Sequence, residues 1–323
     1  MTALPLLLAL LAQEAGGAAP LLDKGERLFR QGDTSGALAA FQEAAKADPR
    51  DARPHYLGGV ALEKKGDAAG ATVEYKKAIS LKSEFAEAHN NLGALLIAGG
   101  DAAGAARELE AATRSKPDYA EAEYNLGVAR DALGKRPEAV AAYREAVRLK
   151  PADAGYRLNL GAALRRTGDL PGAVASLKDA THLAPRDPVA WADLGMVLSD
   201  QKDLDGAQAA LDKATKLKSD FALAWNRLGR VELKRGKVPA AVAAQERARK
   251  LDPKNGAVAA DLCRAYLEQK DAGKAAGECR AAVELDPKNP LAHYELMKVL
   301  VAKGDCPDAK SELARFKGLG VKP

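Results

Sequence analysis

Apolar and polar positions recur along this chain every 34 residues. Alanine stands at Ala37, Ala71, Ala105, Ala139, Ala173, Ala207, Ala241, Ala275 and Ala309 without a slip. Counting Ala18 as position 1, large apolar residues fill position 7, as in Leu92, Leu126 and Leu160, and position 24, as in Phe41, Tyr75, Leu109, Tyr143, Leu177 and Leu211. Small residues accompany them. Position 8 is glycine from Gly25 to Gly229 and then becomes Cys263 and Met297, while position 27 is alanine from Ala44 to Ala282 and then Phe316. Small against large lets two antiparallel helices approach closely and still fill the space between them. A period of this length marks a repeat protein, in which each repeat buries its apolar face against its neighbours.

The polar punctuation predicts a helical hairpin within each period. Glycine at position 15 (Gly32, Gly66, Gly100, Gly134, Gly168, Gly236, Gly304) can take the left-handed conformation that closes a first helix. Aspartate usually follows, from Asp33 and Asp67 to Asp271 and Asp305, where a carboxylate accepts the free amide hydrogens that open a second helix. Proline at position 32, as in Pro49, Pro117 and Pro151, stops that helix before the next repeat. The expected fold is all-α, an α-solenoid of antiparallel helix pairs. Nine repeats starting at residues 18, 52, 86, 120, 154, 188, 222, 256 and 290 account for residues 18–323.

The run Ala120 to Pro151, AEAEYNLGVARDALGKRPEAVAAYREAVRLKP, resembles a consensus tetratricopeptide repeat, and Trp191 and Trp225 fall where that family often carries tryptophan. The resemblance covers all nine repeats. It implies a right-handed superhelix whose first helices line a concave groove that commonly takes peptides or partner proteins. It implies no substrate and no reaction.

The composition narrows the partners. Basic residues (49) and acidic residues (44) are interleaved, which reads as a solvated surface, and stacking aromatics are scarce, so nucleic acid is not an expected partner. The glycines are accounted for by turns and helix contacts, and no Cys/His spacing suits a metal. No cofactor, metal, small-molecule substrate or enzymatic activity is therefore expected. His55, His89 and His293 share position 4 with Trp191 and Trp225, which makes them packed ring residues.

Residues 4–12, LPLLLALLA, followed by AGGAA, resemble a secretory signal peptide over residues 1–17, although no Lys or Arg precedes the apolar run. The alternative is an N-terminal helix that caps repeat one. Nine apolar residues are too few to span a bilayer, so membrane contact is expected only through a partner. Export to a bacterial periplasm or beyond is the expectation, with a cytoplasmic location as the alternative. Cys263 and Cys279 replace the small and the large residue of one repeat and suit a disulfide; Cys279 with Cys306 is the competing pair, and buried free thiols are the third reading.

Candidate binding residues follow from the positions expected to face the groove. Asn91, Asn125 and Asn159 at position 6 form an amide row able to read a peptide main chain, or else bond locally. Tyr56 and Tyr124 at position 5 accompany them, and toward the C-terminus Arg227, Arg230, Arg264 and Lys298 make the same face basic. Asp193 and Asp261 flank Arg227, so internal pairing competes with an acidic partner. Tetratricopeptide domains that clamp a C-terminal carboxylate have a basic and amide pattern from which Asp193 and Leu223 depart. Met297, Phe316 and the polar residues Lys310, Glu312, Arg315 and Lys317 mark the ninth repeat as a cap. The functional expectation is a non-catalytic scaffold for a peptide or partner protein. The alternatives are a structural assembly subunit, or a regulatory arm for an enzyme on a separate chain.

Overall fold

The computed structural model describes residues 17–319, so the export segment read over residues 1–17 lies, apart from Gly17, outside the described residues. The described residues form eighteen helices and no strand. They run in pairs: α1 (Ala18–Arg30) with α2 (Thr34–Ala47), α3 (Arg53–Lys64) with α4 (Ala68–Leu81), α5 (Ala86–Ala98) with α6 (Ala102–Ser115), and α7 (Ala120–Ala132) with α8 (Arg136–Leu149). After these come α9 (Ala154–Thr167) with α10 (Leu170–Leu183), α11 (Pro188–Asp200) with α12 (Leu204–Leu217), and α13 (Ala222–Lys234) with α14 (Val238–Leu251). The last two pairs are α15 (Gly256–Glu268) with α16 (Ala272–Leu285), and α17 (Pro290–Ala302) with α18 (Cys306–Gly318). The helices group into two compact units, one ending at Ala152 and one beginning at Asp153. Inside each unit a helix packs on its chain neighbours, and first helices of successive repeats also touch, as α5 does α7 and α11 does α13.

The core is built from the small and large positions. Every position-20 alanine from Ala37 to Ala275 is fully buried. At position 8 the helices come so close that a Cβ on Gly93 would lie 2.6 Å from Leu109, and one on Gly59 2.5 Å from Tyr75. Only glycine fits there without a shift.

The turn between paired helices is left-handed at position 15, with Gly100 at φ 82°. Repeats six and eight depart from this, since Lys202 and Lys270 adopt φ 68° and 64° at that place. A side chain in this region is disfavoured by roughly 1–2 kcal/mol. The next residue caps the second helix: Asp33, Asp67, Asp101, Asp169 and Asp203 each accept the amide hydrogen three residues on. That residue is glycine in all five, which leaves room for the carboxylate; a Cβ at Gly104 would lie 2.2 Å from Asp101 Oδ2. Lys135 and Lys237 replace the aspartate in repeats four and seven and provide no side-chain cap.

Candidate functional site

In the first compact unit the asparagines belong to a hydrogen-bond chain. Asn125 Nδ2 on α7 donates to Asn90 Oδ1 on α5 (2.9 Å), Asn90 Nδ2 donates to Asn91 Oδ1 (3.3 Å), and Asn91 Nδ2 donates to Tyr75 Oη on α4 (3.2 Å). Tyr75 in turn donates to the Glu63 carboxylate on α3. Burial first, and then this bond, push the Tyr75 hydroxyl far above its usual range, so it stays a donor. The chain links three successive repeats, and such networks strengthen one another when every member is satisfied. Asn90, buried and not foreseen from the sequence, is its node. Asn159, in the second unit, donates to the Gly155 carbonyl of its own helix (2.9 Å) and does not extend the row.

Of the two tyrosines, Tyr56 packs against this network through Tyr75, and Tyr124 packs on Tyr143 of its own repeat. Tyr56 lies with its ring 5.9 Å from Tyr75 and 4.9 Å from Phe85, and Tyr124 lies 5.8 Å from Tyr143. Burial raises the Tyr56 hydroxyl above its ordinary range, with Glu87 adding to the effect. Both rings are half-buried.

In the second unit three of the four basic residues expected on the first-helix face are paired with acids of the chain. Arg227 donates to Asp193 (2.7 Å), Arg264 to Asp261 (2.9 Å) and Lys298 to Glu295 (3.0 Å). The last two pairs lie three residues apart on a single helix. Arg230 differs: its closest carboxylate oxygen, on Asp261, is 4.0 Å away and its side chain is 54% exposed. Beside it a cavity of about 210 Å³ opens between α9, α11 and α13. The cysteines lie in this unit too. Cys263 and Cys279 form a disulfide with Cα atoms 5.2 Å apart, and Cys306 is a free, exposed thiol.

Position 4 holds a device that the ring-packing expectation left out. Nδ1 of His55, His89 and His293 lies 2.7, 2.7 and 2.6 Å from Glu74, Glu108 and Glu312, each on the second helix of the same repeat. Nε2 of His89 and of His293 faces a carbonyl oxygen six residues earlier, on Ser83 and Pro287. Trp191 and Trp225 donate their indole N–H to Pro185 and Ser219 at the same spacing (3.0 Å each). In these four repeats the ring at position 4 therefore ties the first helix to the loop before it. The Glu108 carboxylate, chiefly, holds His89 above its ordinary value. Among the described residues no group of His, Cys, Asp and Glu could hold a metal, and no helix is long and apolar enough to cross a membrane.

Paired antiparallel helices in tandem, with small residues at fixed places and a row of first helices, define an α-solenoid of helical hairpins. The family model described as tetratricopeptide repeat matches residues 22–84, 90–154, 124–188, 192–256 and 246–290, so the chain belongs to the tetratricopeptide repeat family. Among curated proteins none matches the chain by sequence. Among solved structures it is similar to the Cut9-Hcn1 hetero-tetramer of APC/C, with a TM-score of 0.61 at 21% identity. That match covers 87% of this chain, which spans about half (55%) of the other. YrrB, a TPR protein with an unusual peptide-binding site, matches with a TM-score of 0.53 and 25% identity over 57% of this chain and 95% of its own. Pseudomonas aeruginosa pilF matches with a TM-score of 0.56 and 19% identity over 64% of this chain and 94% of its own.

Proposed function

We propose that the chain is a non-catalytic scaffold that holds a peptide or loop of a partner protein against its first helices. The observation that carries this reading is a set of apolar side chains left in solvent at position 2. Val189 on α11, Leu223 on α13 and Leu291 on α17 are 42%, 46% and 38% exposed. Apolar groups that recur at one position and keep more than a third of their surface in solvent suit a partner. YrrB, whose fold is similar, has a peptide-binding site, which favours the same use here.

The test is a photo-crosslinking amino acid placed at Val189, Leu223 or, for contrast, at Val73, which is 64% exposed on the second helix α4. A common partner captured from Val189 and Leu223 and not from Val73 is the expected result. Capture from Val73 alone would remove the reading.

The same proposal places the scaffold in a bacterial cell envelope. Support comes from the apolar run at residues 4–12 and from the Cys263 to Cys279 disulfide, a bond that persists mainly in oxidising compartments. Amino-terminal sequencing of the native protein tests it. A chain that keeps Met1 in a cytoplasmic fraction would overturn the placement.

A further inference from the structure

Repeat seven breaks its own pattern at position 24, where six earlier repeats have Leu, Phe or Tyr and it has Gln245; at position 5 it has Asn226, as repeat three has Asn90. Gln245 and Asn226 are buried, and Asn226 Oδ1 and Gln245 Oε1 have no hydrogen-bond partner among the described residues. Asn226 lines the cavity between α9, α11 and α13. Its Nδ2 donates to Asp261 Oδ2 (3.1 Å), while Arg264 donates to Asp261 Oδ1 (2.9 Å). Both oxygens of Asp261 are thereby engaged, and Arg230 remains 4.0 Å away with most of its side chain in solvent.

Lys234 lies four residues further along α13 and lines the same cavity. Its Nζ donates to Ser199 Oγ (2.9 Å), a neutral acceptor, and among the described residues it pairs with no carboxylate. The other two cations of the cavity are matched, Arg165 by Asp200 and Arg227 by Asp193, at 2.7 Å each. Arg230 and Lys234 are the excess. Like charges four apart on a helix repel each other, and an anion held between them relieves that repulsion. Beside them are Met196 and the exposed Leu223.

We propose that this cavity recognises an acidic residue within a linear segment of a partner protein, its carboxylate held between Arg230 and Lys234 and a neighbouring apolar side chain laid on Leu223 and Met196. The proposal rests on the reading that the first-helix face takes a peptide, and names its chemistry in repeat seven. Arg264 and Lys298, the next cations in the row, are already neutralised on their own helices and are not part of the site.

The experiment is calorimetric titration of the full chain with three synthetic octapeptides: alternating leucine and glutamate, the glutamine counterpart, and the phosphoserine counterpart. The glutamate peptide is expected to bind with a Kd below about 1 mM and the glutamine peptide at least about tenfold more weakly. Arg230→Ala combined with Lys234→Met, which keeps the aliphatic stem, should cost the glutamate peptide at least about tenfold, and Lys298→Ala should cost nothing. A salt series on the unaltered chain gives the same reading without a variant: added salt should weaken the glutamate peptide and leave the glutamine peptide unchanged. Equal binding of these two peptides, or full affinity in the double variant, overturns the proposal. Tighter binding of the phosphoserine peptide overturns it in favour of a phosphorylated partner. If neither leucine peptide binds while a partner still crosslinks from Leu223, the carboxylate assignment falls and the first-helix reading stands; loss of crosslinking from every first-helix position removes both.

Discussion

Cys263 and Cys279 are bonded at the same two positions where Gly93 meets Leu109 and Gly59 meets Tyr75. Their Cα atoms stand 5.2 Å apart. In repeats one to seven a glycine lets a longer side chain lie against bare backbone; in repeat eight two small side chains meet instead and the contact becomes covalent. Both solutions hold the two helices of a hairpin at close range.

The disulfide closes a loop of sequence separation 16, which by loop entropy is worth about 3 kcal/mol to its hairpin. Reduction should therefore speed hydrogen exchange in α15 and α16 far more than in α11 and α12. Replacing the pair with the pattern of the other repeats, Cys263→Gly with Cys279→Leu, should restore most of the protection without a covalent bond. Identical exchange in oxidised and reduced protein would show that the bond contributes nothing.

Lys202 and Lys270 hold left-handed turns that seven other repeats assign to glycine. Each change to glycine should stabilise the chain by about 0.5–1 kcal/mol, the left-handed penalty less the added freedom of the unfolded glycine. Urea unfolding followed by circular dichroism measures it. A loss of stability in both variants would mean that the lysine side chains supply more than the turn costs.

Gln245 is buried with an unpaired carbonyl oxygen where Leu177 and Leu211 fill the equivalent space. Gln245→Leu gives up the bond to the Asn226 carbonyl (3.1 Å) but removes a buried acceptor without a partner. An unsatisfied buried group costs about 1–3 kcal/mol and a typical hydrogen bond contributes about 1, so a net gain on the order of 1 kcal/mol is expected. Thermal denaturation of the variant would reveal it, and a fall in Tm would contradict it.

The clasp between His89 and Glu108 makes stability depend on pH. His89 is held above its ordinary value of 6.5, so the folded state binds the proton more tightly than the unfolded one. The clasp's contribution is fully present below pH 6.5 and is lost as pH rises through the raised folded value. Melting curves of the natural chain and of His89→Gln across pH 5 to 9 should accordingly converge toward alkaline pH. A gap that widens with pH would reverse the assigned sign.

Most of the fold was legible because its determinants are strictly periodic. The alanine frame, the position-15 turn and the aspartate caps each recur often enough to fix a helix boundary. The clasps were harder to see because their two halves belong to different positions, and only their joint occurrence is informative. His55, His89 and His293 each have a glutamate nineteen residues on, and Trp191 and Trp225 have alanine there. That covariation was present in the sequence and signals a contact across the hairpin.

The binding face was legible only in part. Arg264 and Lys298 read as a basic row, yet each has an acid one turn away on its own helix. Asn91 and Asn125 read as an amide row, and Asn90, standing one residue before Asn91, engages both. Which of two nearby polar groups wins a side chain depends on helix rotation and rotamer, and periodicity carries neither.

The disulfide ties two helices of a single repeat and crosses no boundary between repeats. Pulled from its ends, a chain of hairpins pays out its length one repeat at a time, as a string of nearly equal steps. Repeat eight will be short-changed in that sequence. With Cys263 and Cys279 joined, the loop of separation 16 stays closed, and the step should be shorter by roughly 50 Å than in the reduced protein. The bond thus acts as a mechanical fuse with a redox setting, one that limits how far the end of the array can be drawn out while leaving every joint between repeats free to part.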